Sequence, residues 1–173
     1  MSINIRTETK EDYIQVYDVN FMAFGDREDE ARLVERIRES QYFVPQLSIV
    51  AENDNEIVGH LLMSKAMIVE GNSKHEVVVL VPIAVKPDYQ KQGIGKQLIW
   101  EGLKRCKESN YNLILLIGHP TYYPKFRFKP ARPYGLELKQ FQVPDDVFMV
   151  CELKENELCS IKGELIYPEA FFE

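Results

Sequence analysis

Cysteine is scarce in this sequence: three in 173 residues (Cys106, Cys151 and Cys159), with no Cys-x-x-Cys pair. An odd count without paired spacing argues against a disulfide framework, and no histidine or cysteine falls into zinc-ligand spacing. No metal is therefore expected, and a reducing, cytoplasmic compartment is the simplest setting. Long apolar runs are also missing. The longest, Val77 to Val85, is about half of what a membrane helix needs, so no membrane partner is expected. The opening MSINIRTETKED carries charge early and lacks the apolar stretch of a secretory signal. Basic excess is absent too: 21 Lys and Arg stand against 27 Asp and Glu, a net charge of −6. That balance argues against nucleic acid as a partner. Repeats, low-complexity tracts and Pro/Gly/Ser linkers are wanting, so one domain over residues 1–173 is expected.

What is present suits a globular chain, with 45% hydrophobic and 28% charged residues. Ile3 to Thr7 alternates as a half-buried strand does. Thr9 and Asp12 read as a capping-box start for a helix ending near Phe24-Gly25. Asp26 reads as the cap of a second helix, Glu28 to Ser40, whose acidic first turn suits the helix dipole. Leu47 to Glu52 and Ile57 to Ser64 form a hairpin around Asn53-Asp54-Asn55. Glu76 to Val85 is a continuous β-branched run, the pattern of a central strand buried on both faces. Pro82 interrupts it. Proline cannot donate to a ladder, so a bulge or an unpaired side is expected there. A helix follows to about Ser109, then a strand at Leu113 to Gly118 and a short helix through Tyr122, Tyr123 and Phe126. Further strands are expected around Gly135 to Phe141, Val147 to Leu153 and Gly163 to Tyr167.

A strand, a glycine turn and an amphipathic helix in that order make an anion site, because the helix start has free N–H groups and partial positive charge. Spacing decides the ligand. A P-loop needs GxxxxGK followed by Ser or Thr; here Gln97 follows Lys96 and Gln90 stands where the first glycine belongs. A dinucleotide turn needs GxGxxG, and Leu98 occupies the third glycine position. The pattern that fits in full is Gln/Arg-x-x-Gly-x-Gly/Ala, as Gln90-Lys91-Gln92-Gly93-Ile94-Gly95.

On these residues the chain resembles the GNAT superfamily of acyl-CoA-dependent N-acyltransferases. The segment IAVKPDYQKQGIGKQLI is similar to that family's cofactor-binding core, and GHPTYYPKFRF to its next strand-to-helix segment. The resemblance implies a mixed α/β fold, with a central, mostly antiparallel twisted sheet, splayed middle strands and helices on both faces. It implies acetyl-CoA as cosubstrate and an amine acceptor, small molecule or peptide, in a monomer or homodimer. The amides of Gln92, Gly93, Gly95 and Lys96 would receive the pyrophosphate, beside Gln90 of the same motif. The freed backbone groups of Ile83 and Val85 would pair with the pantetheine amides, as an added strand does. Lys91 and Lys96 would help neutralise phosphate.

The family places a tyrosine general acid five residues before the phenylalanine of a Y-x-x-x-G-F segment, which here is Tyr123 before Phe128. It would protonate the leaving thiolate. Its neighbour Tyr122 would point about 100° away on a helix. Two departures stand out: Arg127 occupies the usual glycine, and His119 stands where a carboxylate or amide is common. Candidates for the base are Glu76, Glu28 and Glu30, none singled out by its pattern. The expected function is N-acetyl transfer to a primary amine. The alternative is a non-catalytic acyl-CoA-binding sensor or docking module, which would keep the glycine turn and lose the acid and base.

Overall fold

A computed structural model describes residues 2–172. The elements used below are β1 (Ile3–Thr7), α1 (Tyr13–Ala23), α2 (Asp29–Arg38), β2 (Phe43–Asn53), β3 (Glu56–Glu70), β4 (Ser73–Val85), α3 (Ile94–Glu108), β5 (Leu113–Ile117), β6 (Lys129–Pro130), β7 (Leu136–Glu137), β8 (Phe148–Glu152), α4 (Glu157–Ser160) and β9 (Gly163–Ile166). The nine strands form one sheet in the order β1-β2-β3-β4-β5-β8-β6, with β9 on β3 and β7 on β9. Pairing is antiparallel except at β4–β5 and β7–β9. Helices cover both faces, as the resemblance implies.

Local chemistry sets the boundaries. Asp12 accepts the Thr9 amide (2.8 Å) and a bidentate contact from Arg6 (2.7 and 2.9 Å), fixing the entry to α1. Asp54 and Asn55 both adopt positive φ (49° and 66°), the tight hairpin turn whose twist matches its strands. Asp26 does not cap α2. It sits in the left-handed region (φ 59°), and the helix begins three residues later behind Glu28. The hairpin of β3 and β4 is longer than its apolar pattern, running to Glu70 and Ser73, because β9 pairs with Met67–Val69 once β2 has ended. The strand expected at Gly135 to Phe141 shrinks to the two residues of β7. Leu136 and Leu138 alternate there because both pack into the core, not because a ladder continues.

α3 lies on one face of the sheet, over Leu61, Met63, Val78, Leu80 and Ile114. α1 and α2 lie on the other, around Val50, Ile57, Leu62 and Ala84. α2 also packs against the C-terminal turn Glu169–Phe172, where Arg36 Nε donates to the Ala170 carbonyl (2.8 Å). No helix among the described residues is long and apolar enough to cross a membrane.

The centre of the sheet is broken where Pro82 predicted it. Leu61 pairs with Ile83 and Met63 with Leu80, so β4 carries one extra residue there. The side chains record the insertion. Val78 and Leu80 face α3 before the bulge; Ile83 and Val85, of opposite parity, face it afterwards. The parallel contact with β5 covers only Val78↔Ile114 and Val79↔Leu115. Beyond it the two strands separate.

Candidate active site

Lys86 donates its amide to the Val58 carbonyl (2.9 Å) across the β3–β4 ladder. Residues that bond the partner alternate in an antiparallel pair. Ala84 and Lys86 therefore bond β3, and Ile83 and Val85 turn their N–H and C=O toward the side that β5 has vacated. The Val85 carbonyl there accepts from Gln90 Nε2 (2.9 Å).

The next segment leads into α3. Lys91 and Gly93 adopt left-handed backbone (φ 63° and 87°) and turn the chain sharply. At Gly93 a Cβ would stand in open space, so glycine is there for its conformation. Gln90 donates its amide to Pro87, and the first bond of the helix runs from Gln97 to Gly93 (3.1 Å). Between these, the amides of residues 91–96 have no acceptor among the described residues, and no side chain caps the helix. Six such donors at the positive end of a fifteen-residue helix form an anion site built from backbone.

These amides open on a cleft of about 680 Å³ between the freed end of β4, the start of α3 and the segment after β5. Of the residues singled out by sequence, Ile83, Val85, Gln90, Lys91, Gly93, Gly95 and Lys96 line it. The Gln92 side chain does not; its Nε2 donates back to Asp88 (3.2 Å). Tyr89, Ile94, His119, Tyr122 and Lys125 complete the wall. Lys91, Lys96 and Lys125 stand around the cleft and no carboxylate lines it, although the chain as a whole carries −6. Positive charge is thus concentrated where a polyphosphate would sit. Lys125 and Tyr89 carried no signal in the sequence, since a lone exposed lysine and a lone aromatic fit no spacing.

The two tyrosines divide. Tyr122 lines the cleft; its hydroxyl lies 3.6 Å from where a Gly95 Cβ would be, and Lys125 Nζ sits 4.3 Å over its ring. Tyr123 is 8% exposed and is not part of the cleft wall. Its ring lies against Gly118, where a Cβ would overlap Cε2, and packs edge-on to Phe128 at 5.9 Å. Burial pushes the Tyr123 phenol up to about 12 and raises that of Tyr122. His119 opens the turn through its backbone, its carbonyl accepting the Tyr122 amide (3.2 Å). Arg127 occupies left-handed backbone (φ 73°) at the end of the Tyr123–Phe126 turn. This conformation accounts for the glycine usual in the resembling segment. An arginine there costs about 1 kcal/mol, so Arg127→Gly should raise Tm by about 2–4 °C in calorimetry.

Of the three carboxylates considered as bases, Glu76 pairs with Met67, seven residues before Ile83 and so about 23 Å along the strand. Glu28 is held by the Tyr17 hydroxyl and Arg32. Glu30, on the first turn of α2, has a buried Oε2 with no partner among the described residues. Cys106 and Cys151 are buried, and burial raises their thiols to about 12 and about 11, so neither is a ready nucleophile. No cluster of metal-ligating side chains occurs among the described residues.

The family model described as acetyltransferase (GNAT) domain matches residues 4–131. Two curated Escherichia coli proteins are similar, both described as uncharacterized N-acetyltransferases. YjhQ is 33% identical over 70% of this chain and 67% of its own length. YhbS is 30% identical over 82% of this chain and 83% of its own. The crystal structure of E. coli YhbS in complex with CoA superposes with a TM-score of 0.88, covering 99% of this chain and 92% of that one at 26% identity. A GNAT family acetyltransferase from Brucella melitensis, in complex with acetyl-CoA, superposes with a TM-score of 0.79 over 98% of each chain, also at 26% identity. With the bulged β4, the splayed β5 and the open amides of α3 in place, these matches show that the chain belongs to the GNAT acetyltransferase family.

Proposed function

We propose that the protein moves an acetyl group from acetyl-CoA to a primary amine by direct attack, with Tyr123 protonating the departing thiolate. The observation that carries this is the run of six unpartnered amides opening on a lysine-ringed cleft beside a strand with free polar groups. The diphosphate would take the amides of residues 91–96. The pantetheine would lie along Ile83 and Val85, its amide displacing Gln90 from the Val85 carbonyl. The thioester would then fall near the bulge, where β4 and β5 part.

The amine nitrogen attacks the thioester carbon, the tetrahedral intermediate collapses with loss of the C–S bond, and the sulfur takes the Tyr123 proton. The proton lost by the amine returns charge balance through solvent to the phenolate. Tyr123 suits the donor role by position: it packs on Gly118 at the end of β5, whereas the Tyr122 hydroxyl lies beside Gly95 at the phosphate end. Of the three carboxylates considered as bases, Glu30 is the one with a buried oxygen that has no partner among the described residues, which supports it as the group facing an acceptor's ammonium. The acceptor would enter from the α1–α2 face, between residues 21 to 40 and the C-terminal third. The three free cysteines support a reducing, cytoplasmic setting.

Thermal melting tests the cosubstrate. Acetyl-CoA at about 100 times Kd adds roughly 2.7 kcal/mol, a rise of about 5–11 °C, with ATP and NAD as controls that should give none. No rise at millimolar acetyl-CoA would remove the reading. A second reading, the non-catalytic acyl-CoA-binding module, is favoured by the burial of Tyr123. A melting shift without release of free CoA thiol in any member of an amine panel would select it.

A further inference from the structure

Trp100 is the chain's sole tryptophan, and at 43% exposure it is an unusual surface residue. It lies four residues after Lys96 on α3, hence on the same side of the helix and about 6 Å further along its axis. Lys96 lines the cleft. Across from that side stands the segment after β5. The Trp100 indole meets Phe126 edge-on at 5.2 Å, and Phe126 meets Tyr122 in the same way at 5.4 Å. Tyr122 is a wall of the cleft. Through the buried Phe126, aromatic packing therefore ties the exposed indole to the cleft wall at Tyr122, with Lys96 and Lys125 lining the cleft nearby. The T-shaped packing against Phe126 occupies only part of the indole, and the exposed remainder is open to a second ring.

We propose that Trp100 is the stacking platform for the adenine of the bound coenzyme, with Lys96 and Lys125 taking the ribose phosphate. The proposal rests on the acyl-CoA reading above and deepens it. The chemistry matches: a coenzyme anchored by its diphosphate at residues 91–96 carries a purine on one side and the pantetheine arm on the other. With the arm along Ile83 and Val85, the purine is directed outward, where Trp100, one helical turn beyond the cleft-lining Lys96, supplies an exposed apolar π-face.

The test compares acetyl-CoA with S-acetyl-4′-phosphopantetheine, which keeps the arm and one phosphate but lacks the adenosine. Binding is measured by calorimetry, together with tryptophan emission, which reports Trp100 alone. Saturation with acetyl-CoA should quench or shift the emission, and the adenosine-free analogue should leave it nearly unchanged. Trp100→Ala should weaken acetyl-CoA roughly 5- to 100-fold, the span of base–aromatic stacking, without changing affinity for the analogue. Trp100→Phe should restore most of the loss, and melting of both variants reports whether they fold. Emission that ignores saturating acetyl-CoA, or a Trp100→Ala variant that weakens both ligands alike or neither, overturns the platform while the acyl-CoA reading stands. If neither ligand binds the unaltered protein, both readings fall.

Discussion

Tyr123→Phe should lower kcat by about 10²- to 10⁴-fold, the usual contribution of a positioned general acid. The Kd for acetyl-CoA should move by no more than about twofold, since the ring keeps its contacts with Gly118 and Phe128. A hydroxyl that acts only as the sulfur leaves is missed in turnover and not in binding. Tyr122→Phe makes the comparison: it alters the cleft wall beside Gly95 and should act on acetyl-CoA affinity more than on kcat. The pH profile supplies an independent check. An acid works while protonated, and with a phenol raised to about 12 Tyr123 stays protonated throughout an ordinary assay range. Activity should therefore show no alkaline loss attributable to it below about pH 11. Unchanged turnover of Tyr123→Phe at every pH would take the tyrosine out of the mechanism.

The second large effect concerns what holds α1 and α2 against the sheet. The Glu8 carboxylate is 2% exposed and the Arg38 guanidinium 10%, joined by bonds of 2.7 and 3.3 Å. Glu8 also accepts from Ser48 Oγ (2.9 Å), Ser48 Oγ meets His60 Nε2 (3.0 Å), and Asn20 meets His60 Nδ1 (3.1 Å). Burial, followed by the Arg38 charge, lowers the His60 imidazole to about 3, so it is neutral and the pair carries the charge alone. Arg38→Met removes the cation and strands a buried carboxylate, at a cost of about 3–5 kcal/mol in urea unfolding. That is a large part of the 5–15 kcal/mol typical of a whole domain. Adding Glu8→Gln should return much of the loss, because the cost lies in the unpaired charge. A loss below about 1 kcal/mol for Arg38→Met alone would mean water reaches Glu8 and the pair behaves as a surface one.

Much of this could be read in the residues. α3 was expected from the glycine turn to about Ser109 and runs Ile94–Glu108, because its start is fixed by glycine conformation and its length by an apolar stripe. A bulge or an unpaired side was expected from Pro82, since a missing donor in a buried strand admits few solutions, and the structure has the bulge. The short strands of the C-terminal third were harder to place. β6 and β7 are two residues each, too brief to leave a period, and their alternation reflects packing. The extension of β3 and β4 was hidden because its pairing partner, β9, lies about a hundred residues away in sequence, beyond what any local pattern conveys. The polar network of Glu8, Arg38, Ser48, His60 and Asn20 was likewise illegible, gathered as it is from five separate elements or their margins. At the site, the cleft-lining glycines and lysines of the turn were legible as a motif. The standing of Tyr122 against Tyr123 depended on which ring Gly118 admits, and that is a matter of tertiary contact.

The parting of β4 from β5 carries a hazard. A strand with free polar groups in the middle of a sheet is a template on which a foreign strand can add, the usual start of aggregation. One residue blunts it here. Gln90 fills the Val85 carbonyl with its own side-chain amide. An intruding chain would meet an occupied acceptor in a short gap. A slender arm that brings its own amides and is anchored by phosphate can displace the glutamine, exchanging one hydrogen bond for another at little net enthalpy. The glutamine of the glycine-turn motif thus occupies, in the unliganded protein, the acceptor that an added strand would need.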